Sequence, residues 1–205
     1  MDKFLIFDEN EHRYSILGNW EIEVPSVTQL LKFGNIVDYD FLDISYANIG
    51  TEIHKMTELM DEGLYPRDLA EGRVQASMLA YEAFLEDHEV KWEDSEKQFF
   101  SERGFYAGTI DRIGTVDGKR MIVDIKSGSK VRWHALQLAG YADGEDLPLA
   151  SLYLAGFDYR FHIWSAKDVA LAKSVFESLL EVYWYTRPRD YGRLEKLRDE
   201  VNTND

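Results

Sequence analysis

The chain has 205 residues and a mass of 23.8 kDa, and 45% of its residues are hydrophobic, which is enough for one domain with a buried core. It carries 23 Lys and Arg against 38 Asp and Glu. This net charge of −15 argues against a general polyanion binder or a membrane-surface protein, because the mean field repels phosphate. There is no cysteine, which excludes disulfides, zinc–thiolate sites, iron–sulfur clusters and thiol catalysis.

Two further features bear on location. No apolar run approaches the roughly 20 residues that a bilayer span requires. The first residues, Met-Asp-Lys-Phe-Leu-Ile-Phe-Asp, are acidic and alternating, unlike a signal peptide. We therefore expect a cytoplasmic protein with no membrane partner.

The N-terminal part of the chain alternates between apolar and polar residues. This pattern predicts a β-hairpin over residues 4–7 and 13–17 that continues as a further strand through residues 20–24. Ser26 is a candidate N-cap for the helix that follows, and Gln29 stands three residues later, where a capping box needs it.

Helical periodicity dominates the next segment. A helix is predicted over residues 38–47, with a break near Gly50 and a restart over residues 51–60. Residues 69–88 show the longest helical pattern of the chain.

The second half alternates between strand and helix patterns. The pair Asp117 and Gly118 is a strong signal for a two-residue hairpin turn. Strands are predicted over residues 99–100, 105–114, 120–126, 149–155 and 160–165, and helices over residues 131–142, 166–185 and a short charged C-terminal tail. This order indicates a single domain of the α/β or α+β class.

The segment with the most chemistry lies on two predicted strands joined by that turn. Side chains alternate along a strand, so Asp124 and Lys126 share one face among apolar neighbours, and Asp111 stands on the adjoining strand. Two convergent carboxylates suit Mg²⁺ or Mn²⁺, and a lysine beside them could hold an attacking water. The alternative is a plain salt bridge of either aspartate with Lys126 or Arg112 on an exposed hairpin face.

Three motifs in this region occur in a characteristic order. They are Gly-Thr-Ile-Asp at residues 108–111, Val-Asp-Ile-Lys-Ser-Gly at 123–128 and Gln-x-x-x-Tyr at 137–141. Together they resemble the RecB-type branch of the PD-(D/E)XK nuclease superfamily, in particular the small exonucleases encoded by bacteriophages. The resemblance covers about residues 50–142. It implies the α/β class, with a restriction-endonuclease-like core in which a central mixed β-sheet is flanked by helices.

This resemblance also implies a division of the chain. Residues 1–205 would form a single nuclease domain, with the N-terminal hairpin and helices in residues 1–49, the nuclease core in residues 50–186 and a helical tail in residues 187–205. Ile110 stands where the superfamily's name has proline, as is common in this branch. Relatives with an iron–sulfur cluster are excluded by the missing cysteines.

The resemblance assigns roles to the residues of these motifs. Asp111 and Asp124 would bind one or two Mg²⁺ or Mn²⁺ ions, and Ile125 would offer its main-chain carbonyl. Lys126 would position and activate the water. On the following helix, Gln137 and Tyr141 would orient the lysine or the scissile phosphate; they are four residues apart and can share a helical face.

Two more site residues are expected upstream. Many RecB-type members take a histidine from a Gly-x-x-x-His helix start, which matches His54 here; the alternative is a surface pair with Glu58. An accessory glutamate is expected on the strand ahead of Asp111. Glu96 is the choice there, with Glu93 and Glu102 as competitors.

The basic residues are concentrated near the proposed site. Residues 101–141 carry a net charge of +3, whereas residues 1–100 carry −14 and residues 142–205 carry −4. This narrow cationic track predicts weak, salt-dependent DNA affinity unless a partner or an oligomer adds contacts. The candidate DNA-binding residues are Arg103, Arg112, Lys130, Arg132, Trp133 and His134.

The sequence therefore predicts a metal-dependent DNA exonuclease that acts at DNA ends in phage-type recombination or replication. A single-strand annealing or recombination protein is the expected kind of protein partner. Two alternatives remain: a non-catalytic acidic protein on the same fold that mimics DNA, which the charge of −15 favours, and an endonuclease.

Overall fold

The central sheet of the protein has five strands in the order β4-β5-β6-β7-β8, and helices cover both of its faces. The computed structural model describes residues 5–8, 13–17, 21–37, 44–66 and 72–202. The predicted α/β fold with a mixed sheet flanked by helices is confirmed. Its strands are β4 (Val90–Ser101), β5 (Tyr106–Val116), β6 (Lys119–Lys126), β7 (Leu149–Leu154) and β8 (Tyr159–Ile163).

Only β6 and β7 run parallel in this sheet; the other neighbours are antiparallel. The parallel pair needs a crossover, and helix α4 (His134–Tyr141) provides it. Asp117 and Gly118 form the predicted tight turn between β5 and β6, both with positive φ. The strand predicted at residues 99–100 begins much earlier, at Val90, because charged side chains on its exposed positions conceal the alternation.

A smaller antiparallel sheet precedes the central one, as predicted. It consists of β1 (Leu5–Asp8), β2 (Arg13–Leu17) and β3 (Glu21–Val24). Its buried side chains, such as Ile16 and Val24, pack in one cluster with residues of the β4–β5 turn and of the C-terminal helices. This contact holds the small sheet against the end of the central sheet where β4 and β5 meet.

The helices follow the predicted order. The Ser26 capping box is present: its Oγ accepts from the Gln29 N–H at 3.0 Å, and Gln29 Oε1 accepts from the Ser26 N–H at 2.8 Å. No helix among the described residues has the length and apolar character that a membrane crossing needs. Besides α4, the helices are α1 (Val27–Phe33), α2 (Ile44–Asp61), α3 (Gly72–Asp87), α5 (Ala166–Tyr185) and α6 (Pro188–Asn202).

Two predicted helix bounds were wrong. Helix α2 runs through Gly50 without a break, because one helical glycine costs only about 1 kcal/mol and burial of Ile53, Met56 and Met60 against the sheet offsets it. The helix predicted from residue 131 begins at His134, since a turn precedes it. Residues 38–43 of the predicted helix over 38–47 lie outside the described residues.

The two helical layers bury β6 from both sides. Ile122 belongs to the core under α1, α4 and α5, whereas Val123 and Ile125 belong to the core under α2 and α3. A charged side chain on this strand is therefore enclosed by protein, and Asp124 is completely buried. This enclosure sets the electrostatics of the site.

The close approach of β4 to β5 makes Gly114 a sensitive position. A methyl group there would overlap the Lys91 carbonyl oxygen and lie 2.8 Å from Trp92 Cα, next to the β-bulge of β4. We expect Gly114→Ala to lower the free energy of unfolding by about 1–3 kcal/mol in urea denaturation. Gly192→Ala, in open space on α6, is the matched control and should raise it by about 0.5–1 kcal/mol; equal effects would contradict this packing.

Candidate metal centre

Helix α2 and strands β4 and β5 bring three potential metal ligands together. One ligand atom from each of His54, Glu96 and Asp111 lies within 4.8 Å of the other two. His54 Nδ1 is 3.5 Å from Glu96 Oε1 and 3.6 Å from Asp111 Oδ2. The alternative surface pair of His54 with Glu58 is not formed: His54 faces Glu96 and Asp111, and Glu58 binds Lys55 at 2.6 Å.

The local backbone explains how Glu96 reaches this group. Ser95 pairs with Arg112 and Lys97 with Ile110, so Glu96 lies on β4 between two ladder pairs. Its φ of +48° is unusual for a non-glycine residue, and such strained conformations concentrate at functional sites. The left-handed conformation redirects its carboxylate from the regular alternation of the strand.

The competing glutamates have other positions. Glu93 binds Arg120 at 2.8 Å on the exposed part of the sheet, and Glu102 lies in the β4–β5 turn. Among the described residues, Glu96 is the glutamate that joins His54 in the three-residue group. The geometry thus favours the predicted accessory acid over both competitors.

Asp111 lies where β5 and β6 separate. The last ladder pair of these strands joins Arg112 to Val123. Beyond this pair, the Ile125 N–H, two residues after Val123, donates to Oδ2 of Asp111 at 2.7 Å, so a side chain takes the place of a backbone acceptor. Ile125 itself is buried, and its side chain packs in the core under α2 and α3.

Asp124 and Lys126 form a buried ion pair beside the three-residue group. Lys126 Nζ donates to Asp124 Oδ1 at 2.7 Å, and 17% of the lysine side chain is exposed. The alternative of a salt bridge on an exposed hairpin face was wrong in location, because the helical layers enclose β6. Asp124 adjoins the group without belonging to it: the charges of Asp111 and His54 both act on its pKa.

Burial strongly affects the two acid–base groups of this region. Burial, with a smaller contribution from the charge of Asp111, raises the pKa of Asp124 to about 7 against the opposing effect of Lys126. Burial lowers the pKa of His54, but the negative charges of Asp111 and Glu96 outweigh it and leave this pKa raised. The shift of Asp124 thus comes mainly from burial, whereas the shift of His54 comes from the two carboxylates beside it.

Helix α4 carries Gln137 and Tyr141 four residues apart on the same side of the helix. Gln137 Nε2 donates to the Tyr141 hydroxyl at 2.7 Å, and both side chains are buried. Burial, followed by the charges of Asp111 and Asp124, raises the pKa of Tyr141 well above its usual value. The predicted spacing of four residues thus brings the two side chains into contact, and Tyr141 lies close enough to Asp111 and Asp124 to be affected by their charges.

The donor set fits a divalent cation. Asp124 Oδ2 and Gln137 Oε1 are buried and have no hydrogen-bond partner among the described residues. Glu96, Asp111 and Asp124 carry three negative charges when ionised, of which Lys126 balances one. Carboxylate oxygens suit Mg²⁺ or Mn²⁺, and the imidazole of His54 favours the softer Mn²⁺.

Two of the predicted DNA-binding residues lie inside the protein, which contradicts those predictions. Arg112 is fully buried and binds Asp61 at 2.8 Å. His134 is buried and hydrogen-bonded to the Tyr153 hydroxyl at 2.9 Å; burial and Lys126 lower its pKa to about 3, so it is uncharged at neutral pH. Neither side chain offers an exposed cation to a phosphate.

The other predicted DNA-binding residues lie on the surface in two places. Arg103, in the β4–β5 turn, faces Glu177 of α5 at 3.7 Å and is not in contact with the acidic group. Lys130 Nζ lies 4.7 Å above the Trp164 ring, and Arg132 and Trp133 line a groove of about 470 Å³ together with that tryptophan. The Trp133 ring also contacts His134, at 4.3 Å between centroids.

Tyr14 is a site neighbour that the sequence did not indicate. Its hydroxyl lies 2.6 Å from Thr109 Oγ1, and the charge of Glu96 contributes to its raised pKa after burial, opposed by the Thr109 hydrogen bond. The sequence places Tyr14 only on the strand predicted over residues 13–17, and no local spacing connects it to a residue 95 positions away. Thr57 and Asp61 had a signal, because they follow His54 at helical spacing on α2.

No family model matches this chain, and no curated protein is significantly similar to it. The resemblance to RecB-type nucleases therefore stays a prediction. The geometry of the described residues alone supports the site.

The raised pKa of Asp124 makes stability depend on pH when no metal is present. The pKa is 3.8 for an unperturbed aspartate and about 7 in the folded protein, so the folded state binds the extra proton. Stability from this group is complete below about pH 4 and is lost as the pH rises through 7, at up to about 1.4 kcal/mol per pH unit. We expect Asp124→Asn to remove this slope in urea unfolding with EDTA between pH 5 and pH 7.

The matched control is Asp158→Asn, which changes an exposed aspartate in the β7–β8 turn. Its unfolding free energy should follow the wild-type slope. Parallel slopes for wild type and Asp124→Asn would contradict the raised pKa.

Proposed function

We propose that the protein is a metal-dependent nuclease that hydrolyses DNA phosphodiester bonds. The observation that carries the proposal is the convergence of His54, Glu96 and Asp111 next to a buried Asp124–Lys126 pair. Such a group combines oxygen ligands for a divalent cation with one amine that can face a phosphate or a water. The sequence resemblance to RecB-type nucleases supports the same reading.

The residues of the site would have two roles: some would bind the metal ion, and others would contact the water or the phosphate. His54, Glu96, Asp111 and Asp124 would hold Mg²⁺ or Mn²⁺, and the Ile125 carbonyl stays a predicted further ligand. The chemistry that a bound divalent cation supplies is the activation of a water molecule and the stabilisation of charge on the phosphate.

Lys126 can act on the substrate side of this group. Its amine has three N–H donors, one of which is used by Asp124 at 2.7 Å, and part of the side chain is accessible. The ammonium charge can orient a water or stabilise a phosphate oxygen as negative charge develops. A cation so placed lowers the repulsion between phosphate and the neighbouring carboxylates.

Tyr141 and Gln137 can position the other side of the reacting group. The Tyr141 hydroxyl accepts the Gln137 amide hydrogen, so its own proton is available to another acceptor. Its raised pKa keeps that proton in place at neutral pH. The hydrogen-bonded pair of Gln137 and Tyr141 therefore offers a donor close to Asp124.

The finer assignment within this proposal is an exonuclease acting at DNA ends, in phage-type recombination or replication and in the cytoplasm. The small cationic surface at Lys130 and Arg132 implies weak DNA affinity, so a recombination-protein partner or an oligomer would add contacts. The net charge of −15 favours one other candidate, a non-catalytic DNA mimic. A mimic has no use for an amine inside a carboxylate cluster.

The site assignment is tested by cleavage assays on two variants. We expect Asp124→Ala and Lys126→Ala each to lower the cleavage rate of linear DNA at saturating Mg²⁺ or Mn²⁺ by at least about 100-fold. Each removes a group next to the reacting phosphate. The matched controls are Asp158→Ala and Lys119→Ala, exposed residues that should cleave at the wild-type rate. Wild-type rates in either site variant would refute the assignment, provided circular dichroism shows both folded.

The mode of cleavage is tested with two DNA topologies. We expect the wild-type protein to degrade linear DNA and to leave covalently closed circular DNA intact, and EDTA to stop the reaction. Cleavage of both substrates would identify an endonuclease instead. Absence of cleavage with every divalent ion tested would favour the DNA mimic and overturn the proposed function.

A further inference from the structure

Arg112 is the largest side chain that is fully buried among the described residues, and its guanidinium connects several elements at once. Nε donates to Asp61 Oδ2 at 2.8 Å, and Nη2 donates to Thr57 Oγ1 at 3.1 Å. Nη1 donates to the Asp111 carbonyl oxygen at 2.7 Å and lies 3.5 Å from Glu96 Oε1. One planar group therefore contacts α2, β4 and β5.

Three of these contacts, with Glu96, the Asp111 carbonyl and Thr57, lead to ligands of the metal centre. Glu96 is a ligand itself, and the Asp111 main chain carries another. Thr57, which is fully buried, donates its hydroxyl to the His54 carbonyl oxygen at 2.8 Å. The guanidinium thus fixes the turn of α2 that carries His54 relative to the strands that carry the two acids.

The far side of the network anchors Arg112 in place. Asp61 Oδ1 accepts from the Tyr81 hydroxyl at 2.7 Å, and that hydroxyl accepts from Trp92 Nε1 at 3.0 Å. Both carboxylate oxygens of Asp61 are therefore occupied by protein donors. Asp61 balances the charge of Arg112, which leaves the charges of Glu96, Asp111 and Asp124 for Lys126 and a cation.

We propose that Arg112 is a positioning residue of the metal centre, which holds His54, Glu96 and Asp111 at the separation that a divalent cation requires. This inference rests on the proposed function because it needs a cation at that group. The geometry calls for a guanidinium, since a lysine has a single nitrogen and cannot reach Asp61, Thr57 and the Asp111 carbonyl together. Residues that orient metal ligands typically affect metal affinity by about 10–100-fold.

The test measures Mn²⁺ binding to the purified full chain by isothermal titration calorimetry, with free Mn²⁺ counted by electron paramagnetic resonance. We expect Arg112→Lys to weaken Mn²⁺ binding by about 10–100-fold. The matched control is Arg120→Lys, which changes an exposed arginine of β6 paired with Glu93 and should bind Mn²⁺ like the wild type. Wild-type affinity in a folded Arg112→Lys variant would overturn the inference.

A second variant separates positioning from stability. Loss of one member of a buried ion pair destabilises a fold, whereas replacing both members with apolar residues is often tolerated. The double variant Asp61→Leu with Arg112→Met should therefore recover the urea midpoint lost in Arg112→Met alone, yet still bind Mn²⁺ about 10–100-fold more weakly than the wild type. Recovery of both stability and affinity would show a merely structural role and overturn the inference.

Cleavage kinetics give an independent readout. In the folded Arg112 variants the Mn²⁺ concentration for half-maximal rate should rise about 10-fold or more, with a smaller change in the rate at saturating Mn²⁺. A wild-type protein that binds no Mn²⁺ would overturn the proposed function and this inference with it. A wild type that binds Mn²⁺, with a double variant that binds it equally well, would overturn the inference alone.

Discussion

The burial of Asp124 on a strand covered from both sides is the constraint on which the site depends. A carboxylate removed from water costs several kcal/mol unless charges or hydrogen bonds compensate it. Lys126 satisfies one oxygen at 2.7 Å, and the other oxygen has no partner among the described residues. Burial is the main reason why the pKa of Asp124 is raised to about 7, and the nearby charge of Asp111 adds to it against the opposing effect of Lys126. The fold thus leaves negative charge incompletely balanced at Asp124, and a divalent cation would balance it.

Two ion pairs compensate charge around Asp124. Lys126 pairs with Asp124 itself, and part of the lysine side chain is exposed to solvent. Farther from Asp124, Arg112 pairs with Asp61, and its guanidinium is fully buried. The Arg112–Asp61 pair joins β5 to α2, the helix that also buries Ile53 against the sheet. The apolar packing of α2 and the position of His54 on that helix therefore depend on each other.

Local spacing predicted the parts of the site that lie close together in sequence. Alternation on a short hairpin placed Asp111, Asp124 and Lys126, and helical spacing placed Gln137 with Tyr141. The same reasoning failed for Arg112 and His134, because a basic residue beside an acidic site has the same sequence signal whether it is exposed or buried. Contacts between distant segments left no signal either: Tyr14 meets Thr109 only because the small sheet packs on the β4–β5 end. The left-handed backbone of Glu96 is likewise set by the sheet rather than by its neighbours in sequence.

Because Arg112 and His134 are buried, they cannot attract a polyanion at the surface. Residues 101–141 have a net charge of +3, but one of these positive charges, on Arg112, is paired with Asp61 inside the protein. Lys130 and Arg132 are exposed cations beside the groove, on a body with a net charge of −15. If DNA is the substrate, its phosphates meet a weakly attractive surface only after the acidic group has been neutralised. Cation binding and substrate approach would then be electrostatically linked, because the same carboxylates that attract the ion repel the phosphate.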